Sequence, residues 1–139
     1  MVKKHFIFTP EDIANGKYSV WDLMQPLWFT VSIYDGIDVY NENLRHFTQG
    51  QRRILALMWY DSEVSNGGHE QFFGNSTGIV WKDAIEGMHM IGAQKIAENF
   101  QKAIDDWYYD NDAMDDLMDE YVKNHPEEFV VDGEYDYFE

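Results

Sequence analysis

The feature that most constrains the fold is the helical spacing of apolar residues between positions 93 and 107. Apolar side chains recur there every three or four positions, and polar side chains fill the positions between them. The apolar set is Ala93, Ile96, Ala97, Phe100, Ala103, Ile104 and Trp107. A half-buried strand needs strict alternation instead, and no alternating run is long enough to predict one. The sequence therefore predicts an all-α fold.

Several residues indicate where helices of this fold begin in the first half of the chain. Thr9, Ser19 and Thr48 each precede a helical spacing, and their side chains can cap a helix. Pro26 lies inside the second of these segments, and proline removes a backbone donor from a helix interior. We therefore expect a compact bundle of about six or seven short helices that is kinked or divided near Pro26.

The sequence also indicates a central helix and a last helix. Residues 54–60 are apolar throughout, which predicts a helix that is buried on most sides. Asn111 or Asp112 is expected to cap a last helix, which ends before Pro126. After it a short acidic carboxyl-terminal tail is predicted, extended at 130–131 and 135–138.

Composition limits the class of protein. The chain has 139 residues, of which 45% are hydrophobic and 17% aromatic, so we expect one folded domain over residues 1–139. The absence of cysteine excludes disulfide frameworks, thiolate zinc sites and cysteine nucleophiles. Because no signal peptide or membrane span is recognisable, the predicted location is cytoplasmic and no membrane partner is expected.

The negative charge is concentrated near the carboxyl end. Residues 105–139 contain 14 acidic residues and one basic residue, Lys123, which gives this region a charge of −13. The first 104 residues contain 12 acids and nine bases, a charge of −3. Such local charge favours a surface that meets something positive. The pI of about 4.4 argues against direct binding to nucleic acid.

The most unusual string is the motif region 63–78, which combines glycines, amides and two phenylalanines. Asn66 and Gly67 accept left-handed backbone angles, so Asn66-Gly67-Gly68 predicts a tight turn between two helices. Phe72 and Phe73 are expected to anchor the turn, one of them buried beneath it. Three amides are expected to hydrogen-bond the exposed backbone of the turn, namely Asn66, Gln71 and Asn75.

This string resembles the hallmark of the bacterial DNA-mimic-protein family, a helical family of unknown function. The shared pattern is Asn-Gly-Gly, two variable residues, Gln-Phe-Phe and Asn-Ser-x-Gly, and the resemblance extends over about residues 20–110. The matching residues are Asn66, Gly67, Gly68, Gln71, Phe72, Phe73, Asn75, Ser76 and Gly78. His69 departs from the family, which usually has Phe there. The resemblance implies a helical fold, often dimeric. Most members of the family have no assigned activity, and in the best-understood member acidic side chains imitate DNA phosphates and occupy a transcription factor.

The carboxyl-terminal acids share one face of the predicted last helix. That face contains Asp105, Asp112, Asp115, Asp116 and Asp119, flanked by Glu120. The opposite face, expected to point into the core, contains Met114, Leu117, Met118 and Tyr121. One interpretation is a solvated surface over a core stripe, and the other is a phosphate mimic. Carboxylates at i, i+3 and i+4 repeat every ~4.5–6 Å along a helix, against ~3.4 Å between the phosphates of one DNA strand.

The same acids allow a different function. The run from Asp112 to Glu120 has the spacing of acids that bind Mg²⁺ in enzymes acting on phosphates or pyrophosphates. Such enzymes use a second acidic motif, and the sequence contains none. Glu86 and His89 have the spacing of one helical iron-ligand pair, but a di-iron site needs a second pair. His89 is therefore expected in the core or at its boundary.

The sequence thus favours a non-enzymatic acidic binding protein with no catalytic, cofactor or metal site. The expected partner is a basic protein, such as a DNA-binding transcription regulator, and a homodimer is compatible with the resemblance. Two alternatives stay open: a metal-dependent phosphate or pyrophosphate hydrolase that uses the acids at 112–120, and a structural or assembly protein with a solubilising acidic face.

Overall fold

The computed structural model describes residues 3–136, with the side chains of residues 108–113 excepted. This part of the chain forms six α-helices and two 3₁₀ helices and contains no strand. The α-helices are α1 (Pro10–Ala14), α2 (Val20–Trp28), α3 (Ile37–Leu44), α4 (Gln49–Gly74), α5 (Trp81–Met90) and α6 (Gln94–Asn124). The 3₁₀ helices are Ser76–Val80 and Pro126–Phe129. The predicted all-α fold class is confirmed.

Helices α1, α2 and α4 begin at the caps that the sequence indicates. The hydroxyl of Thr9 caps α1, and those of Ser19 and Thr48 accept backbone N–H groups three residues later, each at 3.1 Å. In α2 and α4 the third helical residue, Asp22 or Gln51, also accepts the N–H of the cap residue. Such reciprocal capping satisfies two backbone donors that have no partner within the helix.

Pro26 does not divide α2, contrary to one of the two expectations for it. The helix runs through Pro26 and ends at Trp28. The N–H of Phe29 still donates to the carbonyl of Gln25 at 3.2 Å. Proline lacks only its own N–H, so the helix loses the one intrahelical hydrogen bond that residue 26 would donate.

Contacts divide the chain into two compact units, Met1–Glu98 and Asn99–Glu139, here called the first and second units. In the first unit α4 packs against α2, α5 and the 3₁₀ helix Ser76–Val80. The largest fully buried side chains of this unit include Leu27, Tyr40, Leu55, Phe72, Val80 and Met88. The assignment of residues 1–139 to a single domain stays a prediction.

The apolar segment 54–60 of α4 is buried or partly buried throughout, as its sequence predicts. None of residues 54–60 is exposed, and Leu55, Ala56 and Tyr60 are buried. The ring of Trp59 stacks on that of Trp28 in α2, with centroids 4.2 Å apart and planes inclined by 17°. This stack joins α2 to α4.

Helix α6 is continuous, so the expectation of a new helix capped by Asn111 or Asp112 is wrong. The backbone is helical from Gln94 to Asn124. No glycine or proline occurs within these bounds to break the helix. A residue that is able to cap a helix does not by itself interrupt one. The helix does end before Pro126, as predicted.

After the second 3₁₀ helix, residues 130–136 are exposed and adopt no regular secondary structure. Residues 137–139 of the predicted tail lie outside the described part. Among the described helices, none combines the length and the apolar character needed to cross a membrane.

Candidate functional site

Exposed acids on α6 form the first element of the candidate site. Five of the carboxylates singled out from the sequence are exposed and are called here the acidic face: Asp105, Asp115, Asp116, Asp119 and Glu120. The side chain of Asp112, which the sequence places on the same face, lies outside the described residues. At 1.5 Å per residue, Asp115 to Glu120 span about 7.5 Å of helix axis.

The acidic face is not neutralised within the described part of the chain. The four ion pairs found there all lie in the first unit: Lys17–Asp12, Arg45–Glu42, Arg52–Asp83 and Arg53–Glu86. On the acidic face, Asp105 accepts a hydrogen bond from Gln101 at 2.9 Å. The sequence gives the second unit 14 acids against two bases, Lys102 and Lys123, hence a charge of −12. Uncompensated carboxylates in such density attract cations.

The apolar side of the same helix segment is exposed, which corrects the expectation that it points into a core. Met114, Leu117, Met118 and Tyr121 retain 54%, 65%, 52% and 47% of their accessible surface, and Val122 retains 42%. These five residues are called the apolar stripe. In the described part of the second unit α6 is accompanied only by a short 3₁₀ helix and irregular residues. The helical wheel separates the two sets of side chains, but burial requires a covering element.

An aromatic cluster closes the carboxyl end of the apolar stripe. The ring of Tyr121 stacks on His125, with centroids 4.2 Å apart, and Phe129 approaches it edge-on at 6.2 Å. The Tyr121 hydroxyl donates to a carboxylate oxygen of Glu128 at 2.6 Å. This hydrogen bond raises the pKa of Tyr121, because it stabilises the protonated phenol. The cluster fixes the second 3₁₀ helix on the end of α6.

The motif region forms a break within α4. Gly67 and Gly68 have non-helical backbone angles. The left-handed φ, 73°, belongs to Gly68 and not to Asn66 or Gly67, where it was expected, and L side chains rarely adopt it. At Gly67 the reason for glycine is space, since a Cβ atom there lies 2.0 Å from Oε1 of Gln71. Gly78 is also crowded, because a Cβ atom there lies 3.1 Å from the carbonyl oxygens of Phe72 and Phe73.

Glu63 is the centre of the hydrogen bonds across this break, and sequence reasoning assigned it no role. One of its carboxylate oxygens accepts from Nε2 of Gln71 at 2.6 Å and from Nδ2 of Asn75 at 3.2 Å. Nδ2 of Asn66 donates to Oε1 of Gln71 at 3.2 Å. The three amides therefore hydrogen-bond to side chains. The expectation that they bond to the exposed backbone of the turn is not met. No helical spacing in the sequence pointed to Glu63, because Gln71 and Asn75 lie eight and twelve residues further along the chain, beyond the break.

Beneath the break, Phe72 is completely buried and packs edge-on against Tyr60, with ring centroids 5.3 Å apart. His69, where the resemblance led us to expect an apolar residue, is partly buried. Its Nε2 lies 2.7 Å from the hydroxyl of Tyr60. Burial lowers the pKa of His69 and raises the pKa of Tyr60 to about 12. Histidine is thus accommodated through a polar partner.

The described residues contain no group of three or more histidines, aspartates or glutamates arranged to hold a metal ion. His89, expected in the core or at its boundary, is exposed instead, and its Nδ1 lies 3.1 Å from Oε1 of Gln94. Its position near the end of α5 explains this exposure, since the buried side of that helix is formed by Ala84, Gly87 and Met88.

Comparison with known proteins gives one match. The model of a family described as DMP19-like protein matches residues 45–139. This range includes the motif region and all of α6, whereas the resemblance drawn from the motif extended over about residues 20–110. No curated protein and no solved structure matches the chain.

Proposed function

This chain belongs to the DMP19-like protein family, and from that premise we propose that it is a non-enzymatic protein that binds a basic protein surface. The observation that carries the proposal is the acidic face of α6, which is exposed and has no ion pair within the described residues. Asp105 accepts a hydrogen bond from Gln101, and none of the five carboxylates is neutralised by a basic side chain at ion-pair distance within the described residues. A positively charged partner gains attraction and releases counterions on binding such a face.

The partner class that fits best is a DNA-binding regulator. Its DNA-binding groove is lined with arginine and lysine, which normally neutralise phosphates. The carboxylates of the acidic face repeat along a rigid helix at a spacing of the same order as that of DNA phosphates. By occupying the groove, the protein excludes DNA from it. Binding of this kind needs no metal ion and weakens steeply with salt.

Two variants of equal net charge test this proposal. The first neutralises four residues of the acidic face: Asp115→Asn, Asp116→Asn, Asp119→Asn and Glu120→Gln. The second neutralises four exposed acids of the first unit that form no ion pair within the described residues: Glu11→Gln, Asp38→Asn, Asp61→Asn and Glu70→Gln. Both change the formal charge of the chain from −16 to −12.

The measurement is retention of a DNA-binding protein from native lysate on the immobilised chain at low salt, followed by elution in a salt gradient. We expect the parent and the first-unit variant to retain it and the acidic-face variant to lose it. Duplex DNA should compete with the parent for the retained protein. Equal retention by both variants shows that charge on the acidic face is only solubilising. If duplex DNA does not compete for the retained protein, the DNA-mimic hypothesis is rejected. The chain is then an acidic protein that binds basic partners in general.

A further inference from the structure

The apolar stripe gives α6 a second recognition element beside the acidic face. Its five residues occur at positions i, i+3, i+4, i+7 and i+8, so they follow one side of the helix for two turns. On a helical wheel at 100° per residue they cover an arc of about 140°. All five side chains are more than two-fifths exposed. An exposed apolar patch of this kind on a folded chain marks an interaction surface.

Acids border the stripe on both sides. On the wheel, Asp115 and Asp119 follow its edge at Val122, and Glu120 and Asp116 follow its edge at Leu117. Both borders are therefore negative, and Lys123 lies on the far side of the helix from the stripe. This order, an apolar seam between two charged rows, is that of a helix that pairs with another helix.

The charges beside the apolar stripe determine which kind of partner can cover it. A second copy of this chain brings the same acidic rows to the seam, and like charges on facing rows oppose pairing. The cost is large for a unit that carries −12. A partner helix that has its own apolar side, flanked by lysine or arginine, covers the apolar stripe and also neutralises the acidic rows beside it.

From these observations we infer that the apolar stripe and its acidic borders together form a docking surface for an amphipathic helix with basic flanks. The inference rests on the proposed function and specifies the partner's form. Helices of this description occur in DNA-binding proteins, where basic side chains face phosphates. Docking requires the apolar side of the partner's helix as well as its charge, so a basic segment without an apolar seam binds more weakly.

Three synthetic peptides of equal length test the inference by fluorescence anisotropy against the full chain at low ionic strength. The first has leucine at both seam positions of each heptad and lysine in the flanking rows. The second has the same composition in scrambled order, and the third has glutamate in place of lysine. We expect the first peptide to bind at least about tenfold more tightly than the second, and the third not to bind.

Chain variants separate this inference from the proposed function. The stripe variant, Leu117→Gln with Met118→Gln, should weaken the binding of the first peptide about tenfold. It should leave the melting temperature unchanged, because both side chains are exposed and glutamine forms helices about as well as leucine and methionine. The matched control, Val130→Gln with Val131→Gln, removes two exposed apolar side chains outside the stripe and should change neither quantity.

Each remaining outcome decides against the inference in a different way. If the stripe variant binds the first peptide like the parent while the acidic-face variant does not, charge alone is recognised, and the proposed function stands without the helix. A melting temperature that falls in the stripe variant shows that the chain covers its own stripe. A dimer in sedimentation that the stripe variant abolishes makes a second copy the occupant. Peptide binding that neither the stripe variant nor the acidic-face variant weakens shows that the peptide binds elsewhere on the chain and rejects the inference, whereas the proposed function is decided by the retention experiment.

Discussion

Gly67 is the residue at which the local structure leaves least freedom. Its hydrogen occupies the space beside the carboxamide of Gln71, which is held by Glu63 and Asn66. Any side chain at position 67 displaces that carboxamide and breaks the hydrogen bonds across the break in α4. The motif is therefore best interpreted as a lock between the two parts of α4, a hypothesis that mutation can test.

The first prediction concerns this lock. Gly67→Ala should lower the free energy of unfolding by about 1–3 kcal/mol through overpacking. In a Gln71→Ala background the cost should fall by at least about 0.5 kcal/mol, because most of the obstructing atoms are gone. Gly74→Ala is the control, since a Cβ atom there meets nothing within 4 Å. Urea unfolding of the four members of the cycle gives the coupling. Additive costs contradict a steric origin.

A second prediction concerns Tyr40, which is completely buried and whose hydroxyl has no hydrogen-bond partner in the described structure. Burial, with a smaller effect from Asp83, raises its pKa well above the ordinary value. An unpaired buried hydroxyl costs about 1–3 kcal/mol, so Tyr40→Phe should leave the free energy of unfolding unchanged or raise it. Tyr60→Phe, which loses the contact with His69, should lower it. A clear loss of stability in Tyr40→Phe reveals a partner for its hydroxyl.

A third prediction follows from the lowered pKa of His69. In the unfolded chain this histidine takes up a proton near its ordinary pKa of 6.5, whereas in the folded chain it does so only at lower pH. Between these values the unfolded state binds more protons, so acidification through this window reduces stability. His69→Phe should remove that part of the dependence. The measurement is the difference in melting temperature between variant and parent from about pH 7 to 5, with His5→Gln as control. An unchanged difference contradicts the burial of His69.

Among the elements, the helices that have a cap residue and a covered apolar side were predictable from the sequence. The length of α6 and the exposure of its apolar stripe were not. Thr9, Ser19 and Thr48 cap their helices as expected because capping is a local hydrogen bond. The course of α6 past Asn111 and the exposure of Leu117 depend on something else. Local signals do not say whether a helix continues past a cap residue or whether another element covers its apolar side. Glu63 was missed because its partners lie across a break that its own helix does not reveal.

The fourth prediction separates one helix from two in this region. If α6 is continuous, position 111 lies in a helix interior, and Asn111→Ala should raise the free energy of unfolding by about 0.5 kcal/mol through helix propensity. If Asn111 caps a separate helix, the same change should lower it by about 0.5–2 kcal/mol. Chemical unfolding followed by circular dichroism gives the sign. A destabilised variant restores the two-helix interpretation.

At the scale of the whole molecule the dominant fact is an uneven charge. The first unit carries 12 acids and eight bases, so its charge is −4, against −12 for the second. The ion pairs of the described residues lie in the first unit, so repulsion is concentrated in the second. Repulsion among these acids lowers the free energy of unfolding. The proposed binding function explains why the acids are nevertheless present.

The last prediction measures that repulsion without any partner. Raising the ionic strength to about 0.15 M shortens the Debye length to about 8 Å and screens exposed charges from one another. The melting temperature of the parent should therefore rise with salt. In the acidic-face variant, Asp115→Asn, Asp116→Asn, Asp119→Asn and Glu120→Gln, it should start higher at low salt and rise less. The first-unit variant of equal net charge should follow the parent, because its acids are more widely spaced along the sequence and lie among bases. Identical salt curves for the two variants show that the total charge, rather than the acidic face, governs stability. In that case the acidic face has no local charge repulsion that a cationic partner could relieve.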